Sequence, residues 1–312
     1  MNEIEQYLVD EELWRYRQGW IPRREFLKRA AILGAGAATA VAMAATVQPA
    51  RRARAAPAAQ GVSPFSVPEG DPTVSTDWVW YRSTDADVKA YVTWPADAAM
   101  AQSLPGVTVC HENQGVNDHI KNVARRFARA GYVAIAPDLV SRFGTPTDEF
   151  ASDADLMAAY RLLSPEQNAI DFAASLDYLR AHPAVDETKL AATGYCFGGG
   201  VIWRLATIYP GLGAAAPFYG ANPPLDQVPN IRAAMLGVYG ELDQNVDRGI
   251  PDIQAAMDAA GVRYQINVYP NSMHAFHADH RPSFNPVTAP QAWMDTLNWF
   301  ANYLGLQPPT FG

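Results

Sequence analysis

The sequence predicts an α/β fold, a mostly parallel, doubly wound sheet of about eight strands flanked by helices. Three observations carry that expectation. Short β-rich runs alternate with helical patterns from residue 77 onward, the order that builds parallel strands with crossover helices. The later β-rich runs are apolar throughout, as strands covered on both faces are. The helical stretches carry start and stop residues: Asn117 or Asp118 before the first, Gly131 after it, and Pro251 and Gly261 bracketing the fourth.

Taken in order, strands are expected at 78–82, 88–94, 106–111, 132–136, 190–194, 214–219, 234–239 and 264–269. The first two, WVWYR and VKAYVTW, lie close enough to read as an antiparallel hairpin. Helices are expected at 118–130, 165–181, 198–209, 251–260 and 290–304. A chain of 312 residues with 49% hydrophobic content buries one large core without a second domain. No repeat of solenoid or propeller period is present.

The first 55 residues differ from the rest. They hold nine Lys/Arg against six Asp/Glu, whereas residues 56–312 hold 15 basic and 26 acidic residues, a net charge of −11. A body that acidic repels nucleic acid and anionic membrane surfaces, so neither is an expected partner. Arg23-Arg24-Glu25-Phe26-Leu27-Lys28 precedes the mild apolar run at 30–47, and Ala53-Arg54-Ala55 offers a small-residue cleavage site. This pattern resembles a twin-arginine export signal. The expected organisation is a signal peptide at 1–55, a linker at 56–76 and a catalytic domain at 77–312. The signal implies the twin-arginine translocation machinery as a transient partner and a periplasmic, envelope or extracellular destination, with a membrane-anchored form as the alternative. Residues 1–22, with Trp14 and Trp20, have no role in this reading.

The chemistry concentrates at Gly194-Tyr195-Cys196-Phe197-Gly198-Gly199, between an apolar strand and a helical stretch. It is the nucleophile-elbow pattern with cysteine as nucleophile. A tight strand-to-helix turn admits only glycine two residues either side and lifts Cys196 above the sheet. The helix starting there favours thiolate and presents the Phe197 amide as an oxyanion donor. Cys110, the only other cysteine, reads as a buried strand residue. Two cysteines make no disulfide scaffold or zinc motif. A thiol needs a base and a group that orients the base. Asp243 follows the strand AAMLGVYG and His274 follows the next strand, in the chain order nucleophile, acid, histidine. Glu241 and Asp247 rival Asp243, but the strand-end position favours Asp243.

With those motifs in view, residues from about 77 to 305 resemble the dienelactone hydrolase (carboxymethylenebutenolidase) family of α/β-hydrolases. The resemblance rests on His111-Glu112-Asn113-Gln114-Gly115-Val116-Asn117, Pro137-Asp138-Leu139, the elbow, Phe218-Tyr219-Gly220, Gly240-Glu241-Leu242-Asp243 and His274-Ala275-Phe276. It implies Cys196 as nucleophile, His274 as base and then acid, Asp243 as orienter, and a covalent acyl-enzyme on the way to hydrolysis of a small lactone or ester. It further implies that Glu112 holds the resting thiol and that Arg142 binds a substrate carboxylate, with Arg281 a weaker match. By position, the Asn113 amide is the second oxyanion donor. No cofactor is expected. His274, His277 and His280 with Asp279 could suggest a metal, but the segment lacks a helical pattern that would align them. His119 and His182 read as surface histidines, and His111 as a residue shaping the oxyanion loop. The alternatives are a general carboxylesterase or thioesterase without carboxylate preference, and a non-catalytic envelope binding protein.

Overall fold

The computed structural model describes residues 2–46, 63–98 and 103–308. The predicted cleavage site at 53–55 and the first part of the predicted linker lie outside the described residues. Three helices open the chain: α1 (Glu3–Arg17), α2 (Arg23–Ile32) and α3 (Ala37–Ala45). The hairpin follows as β1 (Val74–Arg82) and β2 (Asp87–Pro95). Then come β3 (Leu104–Cys110), α4 (Asp118–Arg129), β4 (Val133–Pro137), α5 (Asp153–Tyr160) and α6 (Pro165–Ala181). The central part runs β5 (Val185–Tyr195), α7 (Phe197–Ile208), β6 (Ala214–Phe218) and β7 (Ala234–Gly240). The chain closes with α8 (Gln244–Asp247), α9 (Ile250–Ala260), β8 (Tyr264–Tyr269) and α10 (Thr288–Leu304).

The eight strands form one sheet in the order β1-β2-β4-β3-β5-β6-β7-β8. β1 pairs antiparallel with β2, and β2 antiparallel with β4. From β4 to β8 every pairing is parallel. This is the expected α/β-hydrolase architecture, with all eight strands near their predicted places.

Alternation along the strands divides the core in two. Val133, Ile135, Leu190 and Ala192 face α6 and α7, while Val107, Val109, Ala134 and Ala191 face α4 and α10. The α10 stripe Trp293, Leu297, Phe300 and Leu304 repeats at helical spacing and is buried. Each such side chain contributes roughly 1.5–3 kcal/mol of burial. Parallel strands all end at one edge, so the loops after β3, β5, β7 and β8 meet there.

The sequence reading gave residues 1–22 no structure and the run 30–47 no break. Instead, α1 begins with a full capping box, in which the Asn2 side chain accepts from the Glu5 amide and Glu5 reaches back to the Asn2 amide. The apolar run is interrupted between α2 and α3, where Gly34 takes φ +88°. Among the described residues no helix is long and apolar enough to cross a membrane. α1 packs on the catalytic body with Ile4, Leu8, Leu13 and Trp14 buried.

Candidate active site

Cys196 sits between β5 and α7 with φ 58° and ψ −117°, a strained conformation for a residue with a side chain. The glycines that frame it are required by space. A Cβ on Gly194 would lie 2.4 Å from the Gly198 carbonyl oxygen, and one on Gly198 would lie 2.5 Å from the His111 carbonyl oxygen. Phe197 is the first residue of α7, so its amide belongs to the helix turn that has no intrahelical acceptor.

His274 approaches from the loop after β8. Its Nδ1 lies 2.5 Å from Asp243 Oδ2, and both side chains are buried. The other ring nitrogen, Nε2, makes no hydrogen bond. Burial opposes charge on this ring, but Asp243 and the Cys196 sulfur outweigh it and raise the His274 pKa well above the ordinary histidine range. The Cys196 pKa is also raised. Burial, then Glu11, raise its pKa, while His274 pulls it back. The thiol and the imidazole thus act on each other, with Asp243 holding the ring in one orientation.

Glu112 was expected at the thiol, and the structure corrects this. Glu112 is fully buried and pairs with Arg281, Oε2 to Nη2 at 2.9 Å, in an ionic contact without hydrogen-bond alignment. Burial alone would raise the Glu112 pKa, but Arg281 and nearby histidines hold it below the ordinary range. The groups on the sulfur come from α1. Tyr7 OH lies 3.0 Å from Sγ, and the thiol donates to Glu11 Oε2 at 3.5 Å. Trp14 packs edge-on against the His274 ring, with centroids 5.5 Å apart. None of these three was singled out from the sequence. The available signal was the Asn2–Glu5 capping pair ahead of the apolar spacing Ile4, Leu8.

The two arginines exchange rank. Arg142 is held by Asp171 at 2.9 Å and by Asp85, at the hairpin end of the sheet and away from the thiol. The weaker match, Arg281, is buried in the site against Glu112 and 3.5 Å from Glu11 Oε1. The Asn113 side chain also turns to α1, donating to Glu11 Oε2 at 2.6 Å. His111 braces the loop it was expected to shape. Its Nδ1 contacts the Glu112 carbonyl oxygen at 2.6 Å, and Nε2 accepts from the Leu139 amide at 3.3 Å.

His119 is a further correction, being buried rather than on the surface. His119 Nδ1 contacts Asp279 at 2.8 Å, and Arg126 binds the second Asp279 oxygen. His280 lies beside them, but a guanidinium on the carboxylate opposes a cation there. His277 stacks on Tyr195 instead, and His274 is committed to Asp243. Cys110 is buried in β3, where burial raises its thiol pKa well above the ordinary value.

Comparison with known proteins adds the family. Residues 88–304 match the dienelactone hydrolase family. A protein of Salmonella typhimurium strain LT2, provisionally named a carboxymethylenebutenolidase, is 33% identical over 264 residues, covering 80% of this chain and 96% of that protein. A provisionally named carboxymethylenebutenolidase of Saccharolobus solfataricus is 30% identical, covering 69% of this chain and 94% of its own. The crystal structure of a provisional dienelactone hydrolase from Klebsiella pneumoniae superposes with a TM-score of 0.64 at 31% identity, covering 74% of this chain and 99% of that one. With more than half of its length in that match and a strained cysteine elbow at the sheet edge, the chain belongs to the dienelactone hydrolase family and is a hydrolase.

Proposed function

We propose that the chain hydrolyses a small lactone or ester through a Cys196–His274–Asp243 triad. The observation that supports this most is the His274–Asp243 contact of 2.5 Å, with the Cys196 sulfur acting on the same imidazole. His274 takes the thiol proton as Sγ attacks the carbonyl carbon. The Phe197 amide, with that of Asn113, then stabilises the oxyanion. Collapse expels the alkoxide, which takes its proton from His274 and leaves a thioester on Cys196. Water, deprotonated by His274, attacks that thioester and releases the acid and the thiol. Arg281 is the group suited to a substrate carboxylate, because its planar fork can hold both oxygens.

The test is mass spectrometry of the protein mixed with an activated aryl ester at low pH. An acyl adduct on Cys196 is expected, absent in Cys196→Ala and slow to turn over in His274→Ala. An adduct at another residue, or hydrolysis surviving in Cys196→Ala, overturns the assignment. We further propose that residues 1–55 direct export by the twin-arginine machinery. Replacing Arg23 and Arg24 with lysine should then retain the protein in the cytoplasm, since the guanidinium pair is what is read. Unchanged fractionation argues for another route.

A further inference from the structure

The helix that covers the thiol lies outside the family match, which begins at residue 88. Its contacts have the form of a bound ligand. One carboxylate oxygen of Glu11 meets the Asn113 side-chain amide at 2.6 Å and the Cys196 sulfur at 3.5 Å, while the other lies 3.5 Å from Arg281. Arg15 of the same helix adds a contact at 3.4 Å. A carboxylate held between the nucleophile and a buried arginine occupies the space that the acid group of a substrate would need. Cys196 is 0% exposed in this arrangement, so an ester carbonyl reaches it only in those molecules whose α1 has moved away.

Two cavities run along α1, of about 220 and 290 Å³. Tyr7 and Asp10 of α1 line both, as do Ala221 and Asn222 of the body. α1 thus lies along one groove and divides it. The first cavity reaches Asp243 and His274, and the second reaches Phe197 and Arg204.

α1 is anchored by the buried apolar side chains Ile4, Leu8, Val9 and Leu13 and, toward its N-terminus, by charge. Glu3 pairs with Arg204 at 2.6 Å and Glu5 with Arg161 at 2.9 Å. Arg161 also donates to the Ile32 carbonyl at the end of α2, so one side chain ties down two helices. The Glu3 side chain is 63% exposed, and pairs of that kind are weak and screened by salt.

We propose that α1 is an intramolecular plug: Glu11 stands in for the carboxylate of an acidic substrate, and the active site opens when the N-terminal helices leave the body. This rests on Cys196 being the nucleophile. The plug keeps the thiol buried and beside a negative charge until release, and release joins the two cavities into one groove floored by the triad.

The test uses the full chain with a specific protease sequence placed within residues 53–59, which lie outside the described residues, and with Leu8→Asp to weaken the apolar anchor. Two readouts are taken before and after cutting: alkylation of Cys196 by iodoacetamide, and hydrolysis of 4-nitrophenyl acetate. Cys110 is the internal control, because it is buried in β3 and labels only if the body unfolds. Cutting should raise Cys196 labelling at least ~10-fold with Cys110 untouched, and hydrolysis should rise with it. Glu11→Gln in the uncut chain should raise Cys196 labelling several-fold. If labelling rises and hydrolysis does not, the plug stands and the proposed hydrolysis falls. If the freed body labels no faster, if Cys110 labels together with Cys196, or if the cut helices stay bound in the Leu8→Asp chain, the plug is overturned and α1 is a fixed part of the enzyme.

Discussion

The catalytic body and the helices before it build the same active site by different physics. In the body Cys196, Asp243 and His274 are each placed by the local backbone. Cys196 is held by a turn that two glycines make possible, and Asp243 and His274 by the ends of adjacent parallel strands. α1 reaches the same sulfur from 185 residues away in sequence, through side-chain contacts alone. A site fixed by backbone geometry keeps its shape when one contact is lost. A helix docked through side chains, by buried apolar residues together with ion pairs, is weakened contact by contact. The difference teaches that the reacting groups and their cover have separate stabilities, and so can be perturbed separately.

The largest expected effect tests the body. Cys196→Ala should lower hydrolysis by on the order of 10³-fold or more while the melting temperature stays near that of the parent. A residual rate close to wild type would break the assignment of the triad to this elbow.

Next comes Arg281, which belongs to both regions. Arg281→Ala leaves Glu112 buried without its cation and should cost about 3–5 kcal/mol of stability. Cys196 alkylation should rise as well, because Glu11 loses its partner. Arg281→Lys should restore stability in part but not the two-pronged geometry. An unchanged melting temperature would show that Glu112 does not depend on the pair.

Arg142 is the contrast. Arg142→Ala uncovers Asp171, which keeps hydrogen bonds from Ser83 and Gln167, so a loss of about 1–3 kcal/mol is expected. Steady-state rates on an acidic lactone and a neutral aryl ester should fall by equal factors, if at all. A selective loss on the acidic substrate would return Arg142 to substrate binding.

The smallest effect is a pH dependence at the rim of the site. Burial and the neighbouring Asp243 push the Asp247 carboxyl up to about 7, despite the opposing pull of His274. The folded chain then keeps a proton that the unfolded chain releases near pH 4. That contribution to stability is lost as pH rises from about 4 to 7. Asp247→Asn should flatten this part of the melting-temperature profile, between about pH 4 and 7. A profile parallel to wild type would show that Asp247 titrates as an ordinary carboxylate.

Much of the fold, and the placing of Cys196, Asp243 and His274 at one edge of the sheet, could be read in the sequence because these signals are local. Apolar runs of strand length, glycines around Cys196, and loops directly after β7 and β8 each report on a few adjacent residues. Some local signals went unread. The Ser152 side chain accepts from the Asp155 amide and starts α5, and Asn2 with Glu5 starts α1, both with the spacing that marks a helix N-terminus.

What the sequence determined by itself was the sheet, the elbow, and the chain order Cys196, Asp243, His274 at successive strand ends, since hydrophobic periodicity and turn sterics act over short stretches of chain. Tertiary structure decided which carboxylate faces the thiol, which arginine enters the site and whether His119 is buried. Glu11 lies in the middle of α1 and Glu112 just after β3, and Arg142 and Arg281 both follow plausible motifs. Only packing elements far apart in sequence brings Glu11 to Cys196 and Arg281 to Glu112, while turning Arg142 to Asp171. Contact between charged side chains depends on where whole elements dock, and that carries no short-range trace in the chain.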